Sequence, residues 1–336
     1  MPAFVFLSLF FSLIFPVLST DNNPTQQPGA DLLVRNLAFG SCNRQDLPNV
    51  MWDEILTAQP DLWLWTGDIV YADTENMVYL RQLYTDLMNQ KGYRRVIESI
   101  PVVGVWDDHE YGANNAGKEY PMRAQSQQLL LDFLGEPKVS KRRSQEGIYT
   151  AYVLGPPGQE VHLILLDTRY HREEPGEDGD ILGAEQWRWL EQRLAQIKSE
   201  VTIIVSSIQV IPKDHEYEKW HNFPRARQRL FHLLDRYAVP GVIFISGDRH
   251  LGEISISNEA PLPYPIHEIT ASGLTHAWTD HPGEPNRYRY GRVVSQLNFG
   301  MISLDWEADP VSLRMQIRGV GHKVLAEKKV ALTTLR

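Results

Sequence analysis

The chain has 336 residues, 43% of them hydrophobic and 22% charged, which excludes a wholly disordered or fibrous protein. Its net charge of −9 argues against a nucleic-acid-binding surface, because contact with a phosphate backbone needs a basic stripe. The single cysteine, Cys42, cannot form an intramolecular disulfide, and a chain of this length buries enough surface to fold without one.

Residues 1–20 carry no charge and are apolar from Phe4 to Leu18 apart from Ser8, Ser12 and Pro16. The stretch reads as a secretory signal peptide with Ser19 at the cleavage point. An uncleaved N-terminal membrane anchor is the alternative, although a spanning helix wants about 20 apolar residues. The protein is therefore expected to be secreted or otherwise exported, and to meet a membrane only if this segment is kept. Residues 21–34 follow as a polar leader.

From Arg35 to Ser246 short apolar runs at 36–39, 61–65, 101–106, 161–166, 201–205 and 241–245 read as strands. Between them helices are predicted over 49–58, 76–90, 121–134, 183–198 and 223–237. The fourth is the clearest, since Trp187, Leu190, Leu194 and Ile197 recur at spacings of three and four. Such alternation implies a largely parallel sheet covered by helices. After His250 the runs 254–256, 266–271, 293–297, 301–306 and 311–318 read as strands with few helices between. A second, mixed or antiparallel sheet is expected there, with a Pro-, Gly- and aromatic-rich loop over 276–290. Residues 35–336 thus read as one α/β domain of two packed sheets. Aromatic residues are abundant, but most, such as Trp63 and Trp65, sit in predicted strands and read as core.

Each early strand ends in polar residues. These are Gly40-Ser41-Cys42-Asn43, Thr66-Gly67-Asp68 with Tyr71 three residues on, Asp107-Asp108-His109-Glu110, Asp167-Thr168-Arg169, Ser206-Ser207 and Gly247-Asp248-Arg249-His250. In open α/β sheets the carboxyl ends of parallel strands line the crevice where ligands bind. Helix capping accounts for one or two such residues. It does not account for a set holding a thiol, a tyrosine, several carboxylates and two histidines, so the set is read as a metal site. A phenol has an unperturbed pKa near ~10, and a strong Lewis acid such as Fe3+ is what would make Tyr71 a phenolate ligand. Asp248 and His250, at i and i+2, project to one face of an extended backbone. An unpaired thiol in an exported protein is open to oxidation unless a metal holds it as thiolate, so Cys42 is read as a ligand rather than core filler.

In this order the blocks resemble the PhoD-like alkaline phosphatases of the calcineurin-like metallophosphatase superfamily. The residues that carry the resemblance are Phe39-Gly40-Ser41-Cys42, Thr66-Gly67-Asp68-Ile69-Val70-Tyr71-Ala72-Asp73, Trp106-Asp107-Asp108-His109-Glu110-Tyr111-Gly112 with Asn114, Leu166-Asp167-Thr168-Arg169, Ser246-Gly247-Asp248-Arg249-His250 and Thr270 to His276. The second block is also similar to that of purple acid phosphatases, where the tyrosine binds Fe3+ and gives a charge-transfer colour. The resemblance implies a metallophosphatase-like sandwich of two mixed β-sheets flanked by α-helices. It implies metal ligands at Cys42, Asp68, Tyr71, Asp108, Asn114, Asp248 and His250, with Asp107 and Asn115 as alternatives to Asp108 and Asn114. Fe3+ and Ca2+ are the ions it implies, a divalent transition metal being the alternative. One departure stands out: many relatives in the superfamily have a histidine after the strand corresponding to 201–205, where this chain has Ser207-Ile208-Gln209.

The function so implied is hydrolysis of phosphate-ester substrates by metal-activated water, with monoesters and diesters both open. Arg169 or Arg249 would hold the phosphate oxygens, and His109 would protonate the leaving alkoxide. His276 and Arg172 are further pocket candidates. A non-catalytic metal- or anion-binding protein on the same fold is the alternative. An iron redox protein is a third reading, against which the carboxylate-rich ligand set argues.

Overall fold

Runs of β-branched and aromatic residues build the strands, and the computed structural model, which describes residues 25–336, has thirteen of them among those residues. The first three are β1 (Asn36–Gly40), β2 (Leu62–Thr66) and β3 (Val102–Val105). The next four are β4 (Thr150–Leu154), β5 (Val161–Leu165), β6 (Val201–Val205) and β7 (Val242–Ser246). Then follow β8 (Gly252–Ser257), β9 (Ile266–Ala271), β10 (Arg289–Val294), β11 (Phe299–Asp305), β12 (Ser312–Gly319) and β13 (Lys323–Ala331). The helices that concern the site are α1 (Met51–Thr57), α2 (Met77–Asn89), α3 (Lys91–Ser99), α4 (Asp108–Tyr111), α5 (Arg123–Phe133), α6 (Gly183–Leu194) and α7 (Pro224–Arg236). The expected signal segment, 1–20, lies outside the described residues. Among those described, no helix is long and apolar enough to cross a membrane.

The fold is α/β, with two mixed sheets and flanking helices. One sheet runs β13-β12-β11-β1-β2-β3 and the other β10-β8-β9-β7-β6-β5-β4. The early strands therefore do not share one parallel sheet, as the alternation alone suggested. β1, β2 and β3 are mutually parallel in the first sheet, and β5, β6 and β7 in the second. The later strands do not form a sheet of their own: β11 joins β1 antiparallel, while β8 and β9 extend the second sheet beside β7. Periodicity finds a strand buried on both faces but carries no information about its neighbour. β4 and β13 were not foreseen, since both are outer strands with part-exposed or charged residues. Lysines on β13 suit an edge that must not pair with another chain. The predicted 293–297 strand lies earlier, at β10.

Packing fixes the geometry of the strand ends. Trp63 and Trp65, two apart on β2, are fully buried and meet Trp52 of α1 edge-on at 5.8 and 5.6 Å. Such pairs contribute about 0.5–1.5 kcal/mol each beyond burial. Asn76 caps α2 by accepting from the backbone N–H groups of Val78 and Tyr79, and the extended Gln90 separates α2 from α3. The described part of the polar leader is packed rather than loose: Gln26 O accepts from Val102 N at 3.1 Å, and Ala30 O from Gly155 N at 3.0 Å.

Candidate metal centre

Cys42 follows β1, Asp68 follows β2, Asp108 opens α4 after β3, and Asp248 and His250 follow β7. Nine non-glycine residues among those described have positive φ, and six of them are here: Cys42, Asp68, Asp73, Asn115, Asp248 and His250. Left-handed backbone costs an ordinary residue about 1–3 kcal/mol and collects where function needs it. Close approach adds a second constraint. A Cβ on Gly67, whose φ is +97°, would meet Asp107 Cβ at 2.4 Å, and one on Gly247 would meet Ser41 Oγ at 2.5 Å. These two glycines let the loops of both sheets close on one another.

The result is a tight knot of donors. Cys42 Sγ lies 3.3 Å from Asp68 Oδ2, and Tyr71 Oη lies 3.1 Å from the same oxygen and 3.1 Å from His250 Nε2. Cys42, Asp68 and His250 each offer a ligand atom, all within 4.8 Å of one another, and so do Asp68, Asp108 and His109. Asp68 is common to both groups. They open into a cleft of about 680 Å3 whose lining also includes Asn114 and Asp248.

Electrostatics make this knot unfavourable by itself. Burial pushes the Cys42 thiol up to about 11 and Asp68 well above the carboxylate range, with the neighbouring acids adding to it. Burial, then Asp107, push Asp248 up to about 8. Burial likewise raises Glu110 and the Tyr71 phenol. Asp68 Oδ1, Asp108 Oδ1 and Glu110 Oε2 are buried without a hydrogen-bond partner. Buried acids lacking a counter-charge are strongly disfavoured unless paired or coordinated. The donor set of thiol, phenol, imidazole, carboxylates and amide suits cations, and a cation would reverse each of these shifts. The residues present fit a metal centre.

The structure separates the two adjoining aspartates. Asp107 accepts from Arg169 Nε and Ser207 Oγ, both at 2.6 Å, whereas Asp108 lines the cleft and accepts from Asn115 N at 2.6 Å. Burial alone would raise Asp108, but Arg169, His109 and that N–H outweigh it and hold it below the usual range. Asn114 and Asn115 both line the cleft. Asn115 has its backbone committed, its N–H to Asp108 and its carbonyl to Arg172 Nη1 at 3.0 Å.

The expectation for Arg169 needs correcting. Its side chain is 0% exposed and locked between Asp107 and Glu218, so it neutralises protein acids and cannot reach a phosphate. Arg172 is likewise paired with Glu218. Arg249 lines the cleft and pairs with Glu284, leaving its buried Nε without a partner. His109 stacks on Tyr71 with ring centroids 4.1 Å apart and is held by Asp73 at 2.8 Å. Burial pulls the imidazole down, but Asp73 and Asp108 overcome it and raise its pKa. His276 Nε2 lies 3.3 Å from His250 Nε2. Gln209 turns into a separate buried network with Glu253 at 2.7 Å and His215 at 2.9 Å, so it offers the cleft no ligand.

Residues in or beside the cleft for which the sequence suggests no role include Asp73, Glu110, Glu216, Tyr217, Glu218 and Trp278. Asp73 and Glu110 lie within the family-like blocks, each near an expected site residue. Tyr217 sits in a long loop without a local signal, whereas Trp278 belongs to the aromatic-rich loop over 276–290.

A family profile described as PhoD-like phosphatase matches residues 37–280. A solved structure of PhoD is similar at TM-score 0.71 and 17% identity, covering 93% of this chain and 73% of that one. GAP50, the anchor in the inner membrane complex of Plasmodium, is similar at TM-score 0.60 and 13% identity over 89% of each chain. A dimetal phosphatase from Danio rerio is similar at TM-score 0.53 and 14% identity, over 88% of this chain and 98% of that one. No curated protein matches.

Proposed function

The chain belongs to the PhoD-like phosphatase family, and on that premise we propose that it is a metal-dependent phosphoesterase acting through metal-activated water. The observation that carries the reading is Asp68, shared by two groups of ligand atoms and holding an unpartnered buried oxygen. Cys42, Tyr71 and His250 would hold a soft-donor-tolerant ion such as Fe3+ with Asp68. Asp68, Asp108, Asn114 and Asp248 would hold a harder ion such as Ca2+, which prefers oxygen ligands. A divalent transition metal is the alternative at either position. Bound cations supply Lewis acidity and acidify water toward neutral pH.

The chain's own groups do the rest. Arg249, which lines the cleft, would offer its guanidinium to an ester oxygen, a charge-assisted contact stronger than a neutral one. His109, its pKa raised by Asp73, keeps a proton for the leaving alkoxide. Arg169 holds Asp107 and Glu218 as a fixed wall. Export, with the N-terminal segment cleaved or kept as an anchor, belongs to the same proposal and rests on residues 1–20. The test is hydrolysis of an aromatic phosphate monoester with and without chelator. Turnover abolished by the chelator and restored by metal supports the reading, and turnover indifferent to it removes it.

A further inference from the structure

The cleft is larger than a phosphate group requires, and one side of it is aromatic. Tyr217, between β6 and α7, meets Trp278, beyond β9, with ring centroids 5.4 Å apart and planes at 84°. Both line the cleft that holds Asp68, Asp108 and His250. Trp278 is tied to the centre by its backbone N–H, which donates to His250 O at 2.7 Å. The other tryptophans discussed above are fully packed. Tyr217 is 49% exposed, so part of its surface is open to solvent.

The corner is braced in advance. The Arg249 guanidinium sits 4.2 Å from the Tyr217 ring centroid, a cation–π contact, and is itself anchored by Glu284. Trp278 leans on His281 at 5.0 Å. Two aromatic rings already fixed lose little freedom when a third ring joins them, which is how a preformed site gains affinity. The charge at this rim is acidic. Glu216 is exposed, and Glu218 is occupied by Arg169 and Arg172. With Arg249 already paired to Glu284 and Glu216 the exposed charge, the corner offers a leaving group no unpaired cation, and an uncharged planar one suits it best.

We propose that Tyr217 and Trp278 form a leaving-group subsite that selects phosphate esters of uncharged aromatic alcohols over esters of aliphatic ones. The inference rests on the phosphoesterase reading for its chemistry but has its own binding test. Phenylphosphonate and methylphosphonate are titrated against the purified metal-loaded protein, and against Tyr217→Leu and Trp278→Leu. In the wild type phenylphosphonate should bind about tenfold more tightly, the scale of one aromatic stacking contact. Each variant should lose most of that preference, and Trp278→Leu, which leaves the Arg249–Tyr217 contact in place, should keep its affinity for methylphosphonate. Tyr217→Phe should keep the preference, which separates stacking from any effect of the hydroxyl.

Turnover is then read with phenyl phosphate and with an alkyl phosphate of matched leaving-group acidity. The variants should lose about tenfold in kcat/KM for the aryl ester, and Trp278→Leu little for the alkyl one. Equal affinity of the wild type for the two phosphonates overturns the subsite, as does a preference untouched by both leucine variants. Absence of turnover for both esters with the binding preference intact supports the subsite and overturns the phosphoesterase reading instead.

Discussion

Cys42 Sγ lies 3.3 Å from Asp68 Oδ2, across the ends of two neighbouring parallel strands, and both residues have left-handed backbone, with φ of 60° and 49°. Burial pushes both toward the protonated form, with the Asp248 charge adding to it at Cys42 and the Cys42 charge at Asp68, so that without a cation only the thiol's hydrogen bond joins them. A shared cation turns that contact into coordination. The strain in both backbones is then offset by ligation.

The spectrum follows from this pair and Tyr71. If Fe3+ occupies the thiolate–phenolate side, the purified protein is coloured by ligand-to-metal charge transfer. Tyr71→Phe should shift or bleach the visible band, and Cys42→Ser should lower the metal content while leaving the far-ultraviolet circular dichroism unchanged. A colourless, iron-free wild type that is nonetheless active would point to a divalent pair of ions.

Arg169 is predicted to be a stability residue. It is fully buried between Asp107 and Glu218, and removing one partner of a buried ion pair costs about 3–5 kcal/mol. Arg169→Ala should lower the unfolding free energy by that amount, read as a fall in the denaturation midpoint at unchanged slope. An unchanged midpoint would mean that the two acids do not depend on it.

If His109 is the general acid, it and Asp73 should govern the alkaline limb of the rate profile. Asp73 raises the imidazole pKa, so Asp73→Asn should move that limb to lower pH. His109→Gln should slow esters with poor leaving groups by about 10²–10⁴-fold and activated aryl esters much less. A uniform loss across leaving groups would contradict the acid role.

Away from the centre, burial raises Glu268 from the ordinary 4.5 to about 7, although the N–H groups of Val210 and Ile211 donate to it at 2.9 and 2.6 Å. Between those values the folded protein binds more protons than the unfolded one. Its contribution is therefore fully present below pH 4.5 and is lost as the pH rises through about 7. The loss amounts to about 3 kcal/mol. Chemical denaturation across that window should show the decline, and Glu268→Gln should flatten it. An identical slope in the variant would assign the decline elsewhere.

The strand ends were legible because their chemistry is unusual for their place: acids, a thiol and imidazoles directly after fully apolar runs such as 101–106. The helices were legible by period, Trp187 and Leu190 above all. Sheet membership was not, since β3 and β5 look alike as sequence and differ only in what lies beside them. The choice between Arg169 and Arg249 was not legible for a related reason. A cation next to an acidic cluster reads as a substrate contact until the structure shows that Asp107 and Glu218 already consume it. Tyr217 and Trp278 reach the cleft through loop paths that no periodicity encodes.

If Asp68 joins two cation sites, elemental analysis of metal content per chain in wild type beside Asp68→Asn will show it. Wild type should carry two ions and Asp68→Asn neither, the variant staying folded because the neutral amide matches the protonated acid that burial already favours at Asp68. An Asp68→Asn protein with undiminished metal content would contradict that joining role.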